Sequence, residues 1–160
     1  MNRRVQKLML RWINIWPPFL GAGIRVRWRS DQEVDVEMRL RPWNRNYVGT
    51  HYGGSLYSMT DPFYMLMLME NLGRDYIVWD KAASIRFRKP GKGKVKAEFR
   101  LTDAQLDDIR EKLTTLEKYE PTLLVEVKDE AGEVVAEVQK VIHIRLKKPA
   151  IADTSPEKAG

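Results

Sequence analysis

Residues 53–72, GGSLYSMTDPFYMLMLMENL, set the strongest constraint on how this chain folds. Two glycines lead into a segment whose apolar side chains recur almost all the way round a helix, and such a helix must be covered on every side. The rest of the chain therefore has to supply a surface that wraps it. Asp61 interrupts the apolar run near its middle. A carboxylate among Leu, Met, Tyr and Phe is costly to desolvate, so it either caps a helix or is held ready for chemistry.

Alternating segments on both sides provide the cover. IRVRWR sets Ile24, Val26 and Trp28 on one face, VDVEMRL does the same with Val34, Val36, Met38 and Leu40, and SDQE between them reads as a hairpin turn. Alternation resumes in ASIRFR and KVKAEFRL, with Pro90-Gly91 and Gly93 turning the chain, and again in TLLVEVK and VVAEVQKVIHIRL around a DEAGE turn. Between these hairpins Leu106, Ile109, Leu113 and Leu116 repeat at helical spacing behind Thr102-Asp103. Gly73 is placed to end the long helix. Val5, Leu8, Met9, Trp12, Ile13 and Trp16 predict a further N-terminal helix over 5–16, ended by Pro17-Pro18. The expected fold is α+β: an antiparallel sheet wrapped around a long central helix, with an extra N-terminal helix and an inserted helix before the last hairpin. A single domain is expected over 1–146, with a disordered tail over 147–160.

A chain of 160 residues suffices for one such core. Its 43% apolar and 31% charged residues are those of a soluble globular protein, and no apolar run approaches the ~20 residues that span a bilayer. Arg11 and Asn14 break any signal-peptide core. Without cysteine there is no disulfide framework, thiolate nucleophile or cysteine zinc site, which points to a reducing, cytoplasmic setting. The formal charge of +6 is consistent with nucleic acid, an anionic lipid surface or a phosphate-bearing ligand as partner. Cations concentrate at 25–29, 39–45, 86–96 and 145–148 and acids over 103–137, so one positive side is expected, unless these are simply the wet faces of strands. His51 and His143 are too far apart, and too poor in neighbouring ligand types, for a metal site. GGSLYS lacks the spacing of a serine nucleophile elbow.

The order of elements, together with NYVGTHYGG followed by Asp61, resembles the hotdog-fold acyl-CoA thioesterases, in particular the phenylacetyl-CoA type. That family's pattern is an Asn, a Gly-Thr step, a His-Gly-Gly and then an Asp on the central helix. WDKAASIRFRKPG is similar to an uncharacterised branch of the superfamily described only as thioesterase-like. The resemblance covers roughly residues 20–146. It implies that Asp61 is the catalytic acid, that Asn46 lies near the thioester, and that the backbone N–H near Gly53 polarises its carbonyl. It further implies a homodimer or homotetramer with its site at a subunit interface, and an activity that needs neither cofactor nor metal. The physics agrees: free N–H groups at a helix start favour a developing oxyanion, and a carboxylate in apolar surroundings can activate water or attack the thioester itself.

Two positions depart from the pattern. Tyr52 stands where the family has His, with His51 one residue earlier, and Pro62 follows the acid. A Pro is tolerated in the first turn of a helix, so Asp61 also reads as the N-cap of a helix that restarts at Pro62. Asp80 aligns with a polar residue that positions water in some relatives, and it also reads as a partner of Lys81. His51, Tyr52 and Gly54 are candidate substrate contacts, and Arg86, Arg88 and Lys89 a candidate cradle for the phosphates of CoA. Met59, Met65, Met67 and Met69 either line an acyl tunnel or pack the core. The expected function is hydrolysis of an acyl-CoA or related thioester. A non-catalytic acyl-CoA or lipid binder on the same fold is the alternative, and a nucleic-acid partner is not expected.

Overall fold

The computed structural model describes residues 12–147. Its framework is one antiparallel six-stranded sheet: β1 (Ile24–Ser30), β2 (Glu33–Arg39), β3 (Tyr76–Phe87), β4 (Lys94–Arg100), β5 (Thr122–Asp129) and β6 (Val134–Leu146), in the order β1-β2-β4-β5-β6-β3. The inward faces of the strands carry Val34, Val36, Val95, Ala97, Phe99, Val125, Val127, Val138, Ile142 and Ile144, all buried. Period-two alternation put these residues on one side, as the sequence predicts.

Two short helices, α2 (Gly53–Ser58) and α3 (Phe63–Leu72), fill the concave side in place of one unbroken helix. The chain turns through Met59–Pro62 between them, across a cis Asp61–Pro62 peptide bond. Phe63 sits at the centre of the core, its ring 5.0 Å from Phe99, 5.9 Å from Phe19 and 6.5 Å from Trp28. Met59 and Met67 are fully buried, and Met65 and Met69 pack against the same core, so the methionines are packing residues.

The inserted helix α4 (Asp103–Thr115) forms where the spacing places it, opened by a capping box between Thr102 and Gln105 and anchored by buried Leu106, Ile109 and Leu113. Gly73 ends α3 with a positive φ of 88°. The N-terminal expectation needs correction. Residues 5–11 lie outside the described residues; Ile13–Ile15 form a single 3₁₀ turn, and Pro17, rather than ending a helix, opens α1 (Pro17–Ala22). Proline's fixed φ suits a first helical position, where its missing N–H costs nothing. Asn14 next to α1 donates its Nδ2 to the Val26 carbonyl at 3.0 Å and accepts the Val26 N–H at 2.7 Å, along the outer edge of β1. Residues 148–160 lie outside the described residues.

Candidate active site

β6 carries a cation in its inward register. Val138, Ile142 and Ile144 face the core, and Lys140 lies on the same face with only 1% of its side chain exposed. Its ammonium reaches Asp61 Oδ1 at 2.5 Å and comes within 3.3 Å of Asp80 Oδ1, an ion-pair distance without hydrogen-bond alignment. The Tyr57 ring lies 5.3 Å from the same ammonium, and Tyr57 Oη donates to Asp61 Oδ1 at 3.5 Å, a long contact. One buried ammonium therefore meets two carboxylates and a phenol.

Local structure explains each arrival. Tyr57 and Asp61 are four residues apart, and the Asp61 N–H donates to the Tyr57 carbonyl at 3.1 Å, so the end of α2 carries both. Asp80 depends on a bulge: the β3–β6 register slips between Asp80 and Ala82, with Asp80 opposite Ile142 and Ala82 opposite Val141. Strict alternation from Ala83, Ile85 and Phe87 would turn Lys81 inward. The extra residue turns Asp80 inward instead, the re-aiming that bulges perform. Lys81 pairs with Glu120 at 2.6 Å, not with Asp80.

The electrostatics follow from the same contacts. Burial raises the Asp80 carboxyl above its ordinary range, with Lys140 pulling it down and Asp61 pushing it further up. For Lys140, burial works against the charged form, but its hydrogen bond to Asp61 and the charges of Asp61 and Asp80 outweigh it and the net shift is upward. Asp61 is 42% exposed and Asp80 23%. The cluster thus opens to solvent on the Asp61 side. Asp61 does not cap α3: the N-cap position is Pro62, and no side chain bonds there.

Gly53 and Gly54 open α2 beneath two rings. A Cβ on Gly53 would lie 2.9 Å from Phe87 Cζ, and one on Gly54 would lie 2.4 Å from Tyr52 Cε1. Tyr52 is exposed and precedes the helix. Asn46 is engaged within its own loop, accepting the Thr50 N–H at 2.9 Å and donating to Thr50 Oγ1 at 2.9 Å and to the His51 carbonyl at 3.4 Å. His51 is 2% exposed, its Nε2 3.1 Å from the Gly93 carbonyl and its Nδ1 without a partner; burial lowers its pKa. Arg88 pairs with Glu137 at 2.7 Å, and Lys89 with Asp129 at 2.6 Å and with Glu133, whereas Arg86 has no ion pair within 4 Å among the described residues.

Of the residues singled out in the sequence, Asp61 and Asp80 meet around Lys140, and among the described residues no hydrogen bond or ion pair joins the others to them. Sequence reasoning missed Lys140 and Tyr57. Both were within reach: Lys140 is the one cation in the inward alternation from Ala136 to Ile144, and Tyr57 is one helical turn before Asp61.

Comparison with known proteins agrees with this architecture. A protein of unknown function from Pseudomonas aeruginosa, PA5026, described as a probable thioesterase, superposes with a TM-score of 0.73 at 23% identity, over 92% of this chain and 97% of that one. A protein of unknown function from Chlorobaculum tepidum gives 0.69 at 13% identity, over 90% and 96%. Thioesterase HI1161 from Haemophilus influenzae gives 0.62 at 11% identity, over 89% and 92%. At these identities the likeness establishes the fold, which is the thioesterase-like hotdog type. No curated protein matches the chain. Residues 4–144 match the family described as Domain of unknown function (DUF4442), and the chain belongs to it.

Proposed function

We propose that this protein hydrolyses an acyl-CoA or related small-molecule thioester, with Asp61 as the acting carboxylate. The observation that carries the reading is the state of Asp61: Oδ1 is held by Lys140 and Tyr57, while Oδ2 has no partner among the described residues and the side chain reaches solvent. A carboxylate so placed has one oxygen to use. It can take a proton from a water that attacks the thioester carbonyl. Alternatively it attacks the carbonyl itself, expelling the thiolate and leaving an acyl anhydride that water then cleaves. Asp80, with its raised pKa, is close enough to share a proton with the cluster.

In this reading the N–H groups at Gly53 polarise the thioester carbonyl, and they come from the second copy of the chain. Gly53 opens α2 and Asp61 lies three residues past its last residue, Ser58; the six residues of α2 alone span about 9 Å at 1.5 Å per residue. One carbonyl carbon cannot meet both ends of one α2. Two chains pairing by a two-fold can bring Asp61 of one to Gly53 of the other, which supports a homodimer as the working unit. Arg86 is free to meet a CoA phosphate, and Arg88 and Lys89 would have to exchange a carboxylate for it. Among the described residues no helix is long and apolar enough to cross a membrane.

The test is thiol release from short, aromatic and long acyl-CoA substrates by the wild type and by Asp61→Asn. Turnover that falls by about 100-fold or more in the variant supports the reading. Tight acyl-CoA binding with no turnover in the wild type would replace it with a binding function.

A further inference from the structure

We infer that Lys140 is a positioning residue: from its buried place on β6 it fixes Asp61 through Oδ1, so that Oδ2 is the oxygen presented to the substrate. The inference rests on Asp61 being the acting carboxylate and goes beyond it by assigning which oxygen acts and what aims it.

The placement of Lys140 is hard to account for as a stabilising device. Its Cα faces Ala83 of β3 and Leu123 of β5, and its own strand surrounds it with Val138 and Ile142, so the site is one where Met or Leu fits well. Taking an ammonium out of water is costly, and exchanging buried ion pairs for apolar residues of similar size is often neutral or stabilising. The lysine is the most buried charged side chain of the described residues, yet both carboxylates it meets keep access to solvent. Its effect is geometric. A bond of 2.5 Å to Oδ1 fixes the carboxylate plane, and the Tyr57 hydroxyl approaches the same oxygen rather than Oδ2. The ammonium itself is held by a third contact, Asp80, which the β3 bulge turns inward. Anchoring one oxygen from a rigid central strand is how a reacting group is kept within the tolerance that catalysis needs.

The experiment compares Lys140→Met, Lys140→Gln and Lys140→Arg with wild type by steady-state hydrolysis, thermal melting and the ¹⁵Nζ signal of Lys140. Lys140→Met is expected to lower kcat by about 100-fold in the folded enzyme while KM stays within about threefold, because loss of aim acts on the chemical step, and to lower the melting temperature, because Asp80 loses its cation. Lys140→Gln reads the same loss in a chain that keeps a polar side chain there, should the Met variant fail to fold. Lys140→Arg restores part of kcat by donating from the same strand position. In the wild-type background, Asp61→Asn moves the Lys140 Nζ signal. Unchanged kcat in the folded Met and Gln variants overturns the inference while leaving the hydrolase reading intact, and so does an Nζ signal indifferent to Asp61→Asn. A wild type that hydrolyses none of the thioesters overturns the hydrolase reading, and the positioning role falls with it.

Discussion

The Phe87 ring lies directly over Gly53, so close that a methyl group on that glycine would sit 2.9 Å from Cζ and 3.3 Å from Cε1. Gly53 does not have a left-handed backbone; the requirement for glycine comes from the ring alone. Phe87 is 54% exposed and its ring can shift outward, so Gly53→Ala is expected to destabilise the fold by at most about 1 kcal/mol, the low end for overpacking. Phe87→Leu should relieve most of it, and a double-mutant cycle in urea gives the coupling. Additive losses in the two variants would show that the ring does not restrict this position.

The buried histidine of the 46–51 loop makes stability depend on pH. Burial lowers the His51 pKa, so between its folded value and the unfolded value of about 6.5 the unfolded chain binds more protons. Stability from neutral His51 is thus fully present above about pH 6.5 and declines as pH falls through the lowered value. Glu120 acts in a separate, more acid window: hydrogen bonds from Lys81 and His143 hold it at about 2, so its contribution is lost only from about pH 4.5 down to 2. Urea midpoints measured between pH 8 and 5 should fall in the wild type, and less steeply in His51→Gln.

The proposed pairing of two chains puts its seam at β3. β3 is an edge strand whose middle, Lys81 to Ser84, is exposed. Ala82 and Ser84 share a face, and lysines at both would set like charges against each other across a two-fold. Sedimentation at micromolar concentration is expected to give a dimer for the wild type and a monomer for the Ala82→Lys, Ser84→Lys double variant. A monomeric wild type would remove the two-chain site.

The cations at 86–89 should not contribute equally to CoA affinity. Arg86→Ala is expected to weaken CoA binding more than Lys89→Ala, because Lys89 already neutralises Asp129 and Glu133. The loss should shrink as salt rises, as for any exposed charge contact. Calorimetry at low and moderate ionic strength separates the two; equal, salt-independent affinities would place the phosphates elsewhere.

Much of this fold was legible because its signals are local. Alternation in β1, β2, β4, β5 and β6, the Thr102–Gln105 capping box and the apolar run of α3 each depend on residues within one element. Asp61 was legible for a similar reason, as an acid out of place in an apolar run. What escaped is non-local. That Lys140 meets Asp61 depends on β6 passing beneath the end of α2, 79 residues away in sequence. The bulge that turns Asp80 inward has no glycine to announce it, and the partners of Arg88 and Lys89 lie on β6, at the end of β5 and in the β5–β6 turn. Pro17 was misplaced because a proline pair reads equally well as the end of one helix and the start of another.

Asn14 gives the sheet a polarity that its strands lack. By offering an acceptor and a donor to Val26, its side-chain amide imitates one residue of a seventh strand and occupies the middle of the β1 edge. The β1 edge is thereby partly occupied, and the longer β3 edge is the more open one. A chain with two open ends can add copies without limit and grow into a fibre, whereas a chain with one can join only to its own image and then stop. The asparagine thus makes the two edges unequal, and unequal edges favour a finite particle over a polymer.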